Sequence, residues 1–256
     1  DGAVEIRLPD QASPVIAIDG ISFVSRTETV SDTSLLIVEP VRLFDHRKMT
    51  PELCDQGLQL IAPVLSEAAV VTGELTVELD EFQIPISTAT PEERVQLTRI
   101  SGRMLLHNVE TGLRNPLLAE IASALAALSG RRFTTVRASE ETQVAFQVEN
   151  GRVYHEGLTL LIPELSNDLT ISTSGWVDLQ ENIDVRILVN LSGLVPSRIE
   201  VFSSLTQTPL ELHLTGTLKR PRIRFPSGRS LFDELAGRLG EVTEGSGTAN
   251  GQPNLT

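Results

Sequence analysis

Apolar and polar residues alternate along most of this chain, with the two-residue period of half-buried β-strands. In "QVAFQVEN", Val144, Phe146 and Val148 share one face, while Gln143, Gln147 and Glu149 lie opposite. In "ISTSGWVDL", Ile171, Thr173, Gly175, Val177 and Leu179 oppose Ser172, Ser174, Trp176 and Asp178. "NIDVRILVNL" aligns Ile183, Val185, Ile187, Val189 and Leu191, and "PLELHLTGTL" aligns Leu210, Leu212, Leu214 and Leu218. Earlier, "GELTVELDEFQIPI" sets Leu75, Val77 and Leu79 against Glu74, Thr76, Glu78 and Asp80. Strands of this kind build a sheet with one apolar and one polar face. Further strands are expected in "GAVEIRLP", "SPVIAIDGISFVS" and "TSLLIVEPVRLF", separated by Pro- or Gly-containing turns, and over Ile100 to Val109.

The period changes in three places. Thr50 is a ready N-cap and Pro51 suits the first helical position, which predicts a helix near 51–66. Leu53, Leu60, Ile61, Val64 and Leu65 give it an imperfect stripe, and Pro63 ends or kinks it. A second helix is predicted near 116–129, striped by Leu117, Leu118, Ile121, Leu125 and Leu128 and closed by Gly130. A third, short and amphipathic, is expected at 226–239, where Leu231, Phe232, Leu235 and Leu239 line up. Residues 240–256 are rich in Gly, Thr and Asn and read as a disordered tail. The predicted fold is mainly β: a curved antiparallel sheet or open trough with two or three short amphipathic helices packed on it. Residues 1–49 read as strands continuing an upstream sheet, and 50–225 as one β domain.

Composition narrows the function. The 256 residues carry a net charge of -13, which disfavours nucleic acid as a partner, because that binding runs on neutralised phosphates. Only 4% of the chain is aromatic. This argues against stacked-base recognition. Cys54 is the single cysteine, so neither an internal disulfide nor a Cys-based zinc site forms. No apolar run reaches the ~20 residues needed to span a bilayer as a helix; the best stretch, Leu58 to Val71, is broken by Pro63, Ser66 and Glu67. The chain opens in mid-pattern, which reads as part of a longer protein with an anchor or export signal upstream.

Chemistry is sparse. His107 and Glu110 in "HNVE" have a metal-like spacing, but on a strand such a pair points to opposite faces. His155 and Glu156 read as neighbours in a turn, and His213 falls on the polar side of its strand. Glu92–Glu93 and Glu140–Glu141 read as exposed turn carboxylates. No nucleophile elbow or Gly-rich phosphate loop stands in the required context. The expectation is a protein with no catalytic, metal or cofactor site. Two readings of the apolar face remain. It is a lipid-binding trough lined by Leu75, Val77, Leu79, Val144, Phe146, Val148, Ile171, Val177, Leu179, Ile183, Val185, Ile187, Val189, Leu210, Leu212 and Leu214. Or it is the filled core of an envelope scaffold with no lipid ligand.

The order of elements over Gln143–Leu191 resembles the C-terminal domain of AsmA-like proteins. The resemblance is carried by Phe146, Gly151, Leu158, Leu160, Gly175, Val177, Asp178, Leu179 and Ile183. A closing element, "PLELHLTGTLKRPRIRF", fits that family at Leu214, Gly216, Thr217, Leu218, Pro221 and Ile223. These motifs encode strands and turns only. The chain departs from the family in lacking its N-terminal membrane helix and most of its usual length. The resemblance, which extends to TamB-like and YhdP-like proteins, implies a non-enzymatic periplasmic protein of double-membraned bacteria. Such a protein would be anchored to the inner membrane through an upstream segment. It also implies partners: phospholipid or another acyl-chain lipid, the upstream part of the same protein, and envelope membrane proteins. The implied role is to carry phospholipid along an apolar β-groove and so support outer-membrane biogenesis.

Overall fold

The computed structural model describes residues 2–6, 16–21, 25–30, 33–54, 58–65, 71–87, 90–113, 118–119, 122–123, 126, 131–140, 142–191 and 209–224. The protein is mainly β, as the alternation predicts. β1 (Gly2–Ile6) and β2 (Ile16–Ile21) pair as a two-stranded antiparallel sheet. The other twelve strands form one large sheet. They are β3 (Ser25–Val30), β4 (Thr33–Val38), β5 (Val41–Lys48), β6 (Val71–Ser87), β7 (Arg99–Gly112) and β8 (Thr135–Ala138). Then follow β9 (Gln143–Glu149), β10 (Arg152–Ile162), β11 (Ser166–Asp178), β12 (Asn182–Asn190), β13 (Leu210–Thr217) and β14 (Arg220–Arg224). Every pairing is antiparallel.

Three long strands, β6, β7 and β10, are each flanked on one side by a pair of shorter strands laid end to end. β6 pairs β5 along Glu74–Leu79 and β4 along Phe82–Ser87. The break falls at Glu39–Pro40, where proline removes a ladder donor. In the same way β8 and β9 together fill the lane between β7 and β10. Their junction at Ser139–Thr142 is closed by Thr142 N donating to Ser139 O and Thr142 Oγ1 donating to Thr159 O. Because β3, β4 and β5 share a sheet with β6, the sheet runs across the expected boundary between 49 and 50.

Burial follows the alternation. In β12, Ile183, Val185, Ile187 and Val189 are buried while Asp184, Arg186 and Leu188 are exposed. β10 would lose this phase halfway, since Val153 and His155 occupy odd positions but Leu158, Leu160 and Ile162 even ones. A β-bulge between Glu156 and Leu158 restores it. Gly157 sits at the bulge with φ +95°, and a Cβ there would lie 2.5 Å from Gln143 O, so only glycine fits.

The helices differ most from expectation. The span 51–66 is not one helix. α1 (Pro51–Leu53) follows the Thr50 cap, which accepts from Leu53 N, and a 3-10 turn forms at Pro63–Leu65. Pro63 lacks an N–H, so no helix interior continues through it. Cys54, Leu58, Ala62, Val64 and Leu65 are nevertheless almost fully buried against the sheet. Apolar burial joins a few turn hydrogen bonds, such as Cys54 N to Thr50 O and Ala62 N to Leu58 O, in holding the segment in place. A helix that the alternation hid, α2 (Pro91–Leu97), follows β6. Thr90 accepts from Glu93 N while the Glu93 carboxylate accepts from Thr90 N, a full capping box with Pro91 at the first position. The Glu92–Glu93 pair therefore opens a helix. Within the span 116–129, Leu118, Ala119, Ala122, Ser123 and Ala126 are helical, and Leu118 and Ala122 are buried. The rest of that span, with Leu117, Ile121, Leu125 and Leu128, lies outside the described residues, as do 226–239 and 240–256.

Candidate functional site

An apolar cavity of about 370 Å3 lies against the inner face of β5, β6, β7, β9 and β10, within the ~300–1,000 Å3 range of ligand pockets. Its sheet wall is built by strand alternation, re-phased by register shifts between Arg42 and Phe44 and between Leu79 and Glu81: Leu43 and Phe44 of β5, Val77, Leu79 and Phe82 of β6, and Ile100 of β7. Phe146 and Val148 of β9 and Val153 of β10 extend this wall. The opposing wall comes from the irregular segment, where Leu53, Leu58, Leu60 and Ile61 face the cavity. Its third side is α2, through Arg94, Val95 and Thr98. Leu179 sits at the rim, just beyond β11, and is 48% exposed.

One close approach sets the shape. Gly102 of β7 has no side chain beneath Phe146. A Cβ there would lie 2.9 Å from the Phe146 ring and 2.2 Å from Glu78 O. The missing side chain lets the ring lie over β7 and close the cavity floor. Among the described lining residues, Arg94 and Thr98 are the polar side chains, and Arg94 is the charged one. Such a lining offers burial to a hydrocarbon chain and a single cationic position at one edge. Its described residues bring together no acid, base and nucleophile in the way acyl or phosphoryl chemistry needs.

The sixteen predicted lining residues divide into two groups. Val77, Leu79, Phe146, Val148 and Leu179 do face the cavity. Leu75, Val144, Ile171, Val177, Ile183, Val185, Ile187, Val189, Leu210, Leu212 and Leu214 do not; each is at most 4% exposed and belongs to one continuous core cluster. Alternation tells which face a residue takes. It does not tell whether other parts of the chain cover that face, and here Phe133, Leu165, Leu169 and Leu191 join these residues in the core. The residues missed by the sequence reading are chiefly Leu43, Phe44, Phe82, Arg94, Val95, Thr98, Ile100 and Val153. A Thr-Pro-Glu-Glu start at Thr90 was the available signal for α2.

The histidines take three environments. His155 is not in a turn; it lies within β10, 3% exposed, between Phe146 and Gly175 on the neighbouring strands. Burial pushes its pKa down to about 4, so the ring is neutral. Its Nε2 is 3.5 Å from Thr173 Oγ1, and its Nδ1 is buried without a hydrogen-bond partner. Glu156 points outward. His107 Nε2 lies 3.0 Å from Thr76 Oγ1 and stacks on His46 with ring centroids 4.3 Å apart, while Glu110 pairs with Arg137. His213 is 3.1 Å from Glu211 on the outer face. Among the described residues, no group of three or more His, Cys, Asp or Glu is placed to hold a metal ion.

On the outer face behind the cavity, Glu78 accepts from Arg103 at 2.7 Å and from Arg42 at 2.8 Å. The hydrogen bond from Arg103, then that from Arg42, holds the Glu78 carboxyl below the usual range. This cross-strand triad ties together β5, β6 and β7, the strands that make most of the sheet wall. No family model, no curated protein and no solved structure matches this chain.

Proposed function

We propose that the chain binds the acyl part of a lipid in the cavity between the sheet and the 51–65 and α2 segments. It does so as a non-enzymatic part of a bacterial envelope protein supporting outer-membrane biogenesis. The observation that carries this reading is the lining: eighteen residues enclose about 370 Å3, with Arg94 and Thr98 as the polar side chains. A cavity of that chemistry stabilises a hydrocarbon chain by ~0.8 kcal/mol per buried methylene. The resemblance to AsmA-like C-terminal domains supports the same class of ligand and a periplasmic setting. The ligand is a phospholipid or another acyl-chain lipid, and the partners are envelope membrane proteins and the remainder of the same protein.

The test fills the cavity. Val148→Trp and Leu179→Trp place an indole at its wall and rim, and the readout is binding of a pyrene-labelled fatty acid. Exclusion of about four methylenes weakens binding ~100-fold at ~0.8 kcal/mol each. Unchanged affinity in both variants, with wild-type folding, would remove the cavity as the binding site. The second reading, a lipid-free envelope scaffold, is favoured by the eleven predicted groove residues that lie in closed core. It gains if protein purified from membranes yields no lipid on extraction and the wild type does not bind the fatty acid.

A further inference from the structure

The last strand of the sheet carries a charge pattern unlike the rest of this acidic chain. β14 reads Arg-Pro-Arg-Ile-Arg, and Arg220, Arg222 and Arg224 are all exposed on one side of it. Alternate residues of a strand are about 7 Å apart, so the three side chains form a row along the edge of the sheet. Among the described strands β14 pairs only with β13, and none of them pairs with its other side. No acidic side chain among the described residues forms an ion pair with any of the three. Lys219 is held by Glu181 at 3.0 Å, and Arg186 and His213 of the adjacent strands share Glu211. Three uncompensated guanidinium groups thus stand together on a chain of net charge -13.

We propose that the β14 edge docks on an anionic lipid surface through Arg220, Arg222 and Arg224. A row of planar, permanently charged groups suits multiple phosphate oxygens at an interface. The acidic remainder of the molecule is repelled by the same surface, so approach is orientated with this edge forward. Two competing occupants fit less well. A strand added to this edge would meet Pro221, which offers no N–H. A nucleic acid would find no Phe, Tyr or Trp on β13 or β14 to stack on, and the net charge opposes it. The inference stands on charge placement and does not require the cavity to hold lipid.

The experiment is co-sedimentation of the full chain with large vesicles, either phosphatidylcholine alone or with one third phosphatidylglycerol, at low and at high salt. Each arginine near an anionic surface contributes about fivefold in partitioning, so the R220Q/R222Q/R224Q variant loses ~100-fold. The expected control, R26Q/R99Q/R137Q, removes the same charge from arginines already paired with carboxylates and loses no more than a few-fold. Replacing the three edge arginines by lysine retains most of the binding. Equal losses in both glutamine variants, loss in the lysine variant as complete as with glutamine, or binding that ignores phosphatidylglycerol or salt would each overturn the proposal. So would tighter binding to a single-stranded oligonucleotide than to the anionic vesicles.

Discussion

Replacing His155 should flatten the response of stability to acid. The ring is 3% exposed, and its inner-face neighbours are Phe146, Gly175 and Thr173, none of them charged. Burial lowers its pKa from 6.5 to about 4. Above pH 6.5 the ring is neutral in both the folded and the unfolded chain, and titration contributes nothing. As pH falls through 6.5 the unfolded chain takes up a proton that the folded chain does not, so stability drops. Below pH 4 both forms are protonated, and the loss has reached its full size of about 3 kcal/mol, from 2.5 pH units at ~1.4 kcal/mol each. The sequence pI is near 4.8, so the practical comparison is pH 7.5 against pH 5.5, where solubility is better kept. Over that interval the histidine term amounts to roughly 1.3 kcal/mol. Urea unfolding followed by the fluorescence of Trp176, the single tryptophan, gives the free energies for wild type and His155→Leu at both pH values. The wild type should lose about 1.3 kcal/mol more than the variant on acidification. A difference near zero would show that His155 is solvated or paired in the native state, and the reasoning from its burial would fail.

Other predictions probe the walls and the core. Leu212→Ala, at 1% exposure, should cost ~2–5 kcal/mol in urea unfolding, as expected of a closed core; a cost below ~1 kcal/mol would favour an open groove at β13. Thr90→Ala removes the cap that accepts from Glu93 N and should cost ~1 kcal/mol of helix stability, read as faster amide exchange across α2. The same variant should speed dissociation of the pyrene-labelled fatty acid, and unchanged release would separate α2 from the exchange route.

Strand identity and facing were legible because period-two alternation is enforced by burial itself. The side chains predicted to share a face in β9, β11, β12 and β13 do so, and Leu179, just past the end of β11 at Asp178, reaches the cavity rim and is largely exposed. Where the sequence misled, a local signal competed with a non-local one. Leu53, Leu60 and Ile61 looked like parts of one helical stripe, yet among the described residues the helix does not continue through 59–62, and these residues line the cavity. His155 looked like a turn residue because Gly157 and Glu156 follow it, whereas the glycine marks a bulge inside a strand. The end-to-end laying of β4 with β5 and of β8 with β9 left no clear trace in the sequence, because pairing partners are chosen across the sheet.

The distribution of burial limits what the site can do. A groove that conducts lipid along its length needs apolar side chains left accessible from strand to strand. Across β11, β12 and β13 these side chains are at most 4% exposed within the strands, so that part of the apolar face is filled by the protein itself. Among the described residues, the part of the apolar face left accessible lies where α1, the 58–65 turns and α2 meet β5–β7 and β9. The geometry therefore suits holding one chain at one place better than passing a file of them. The cavity opens at its Leu179 rim, and were wider entry to need a wall to move, the walls differ in cost. Displacing the 58–65 segment would expose Leu58, Ala62, Val64 and Leu65, each at most 4% exposed, and forfeit several kcal/mol of apolar burial. α2 buries no residue fully; it is secured by its capping box and by Gln83 Nε2 donating to Leu97 O at 3.4 Å. On these contacts α2 is a cheaper wall to move than the 58–65 segment, because it gives up no fully buried side chain.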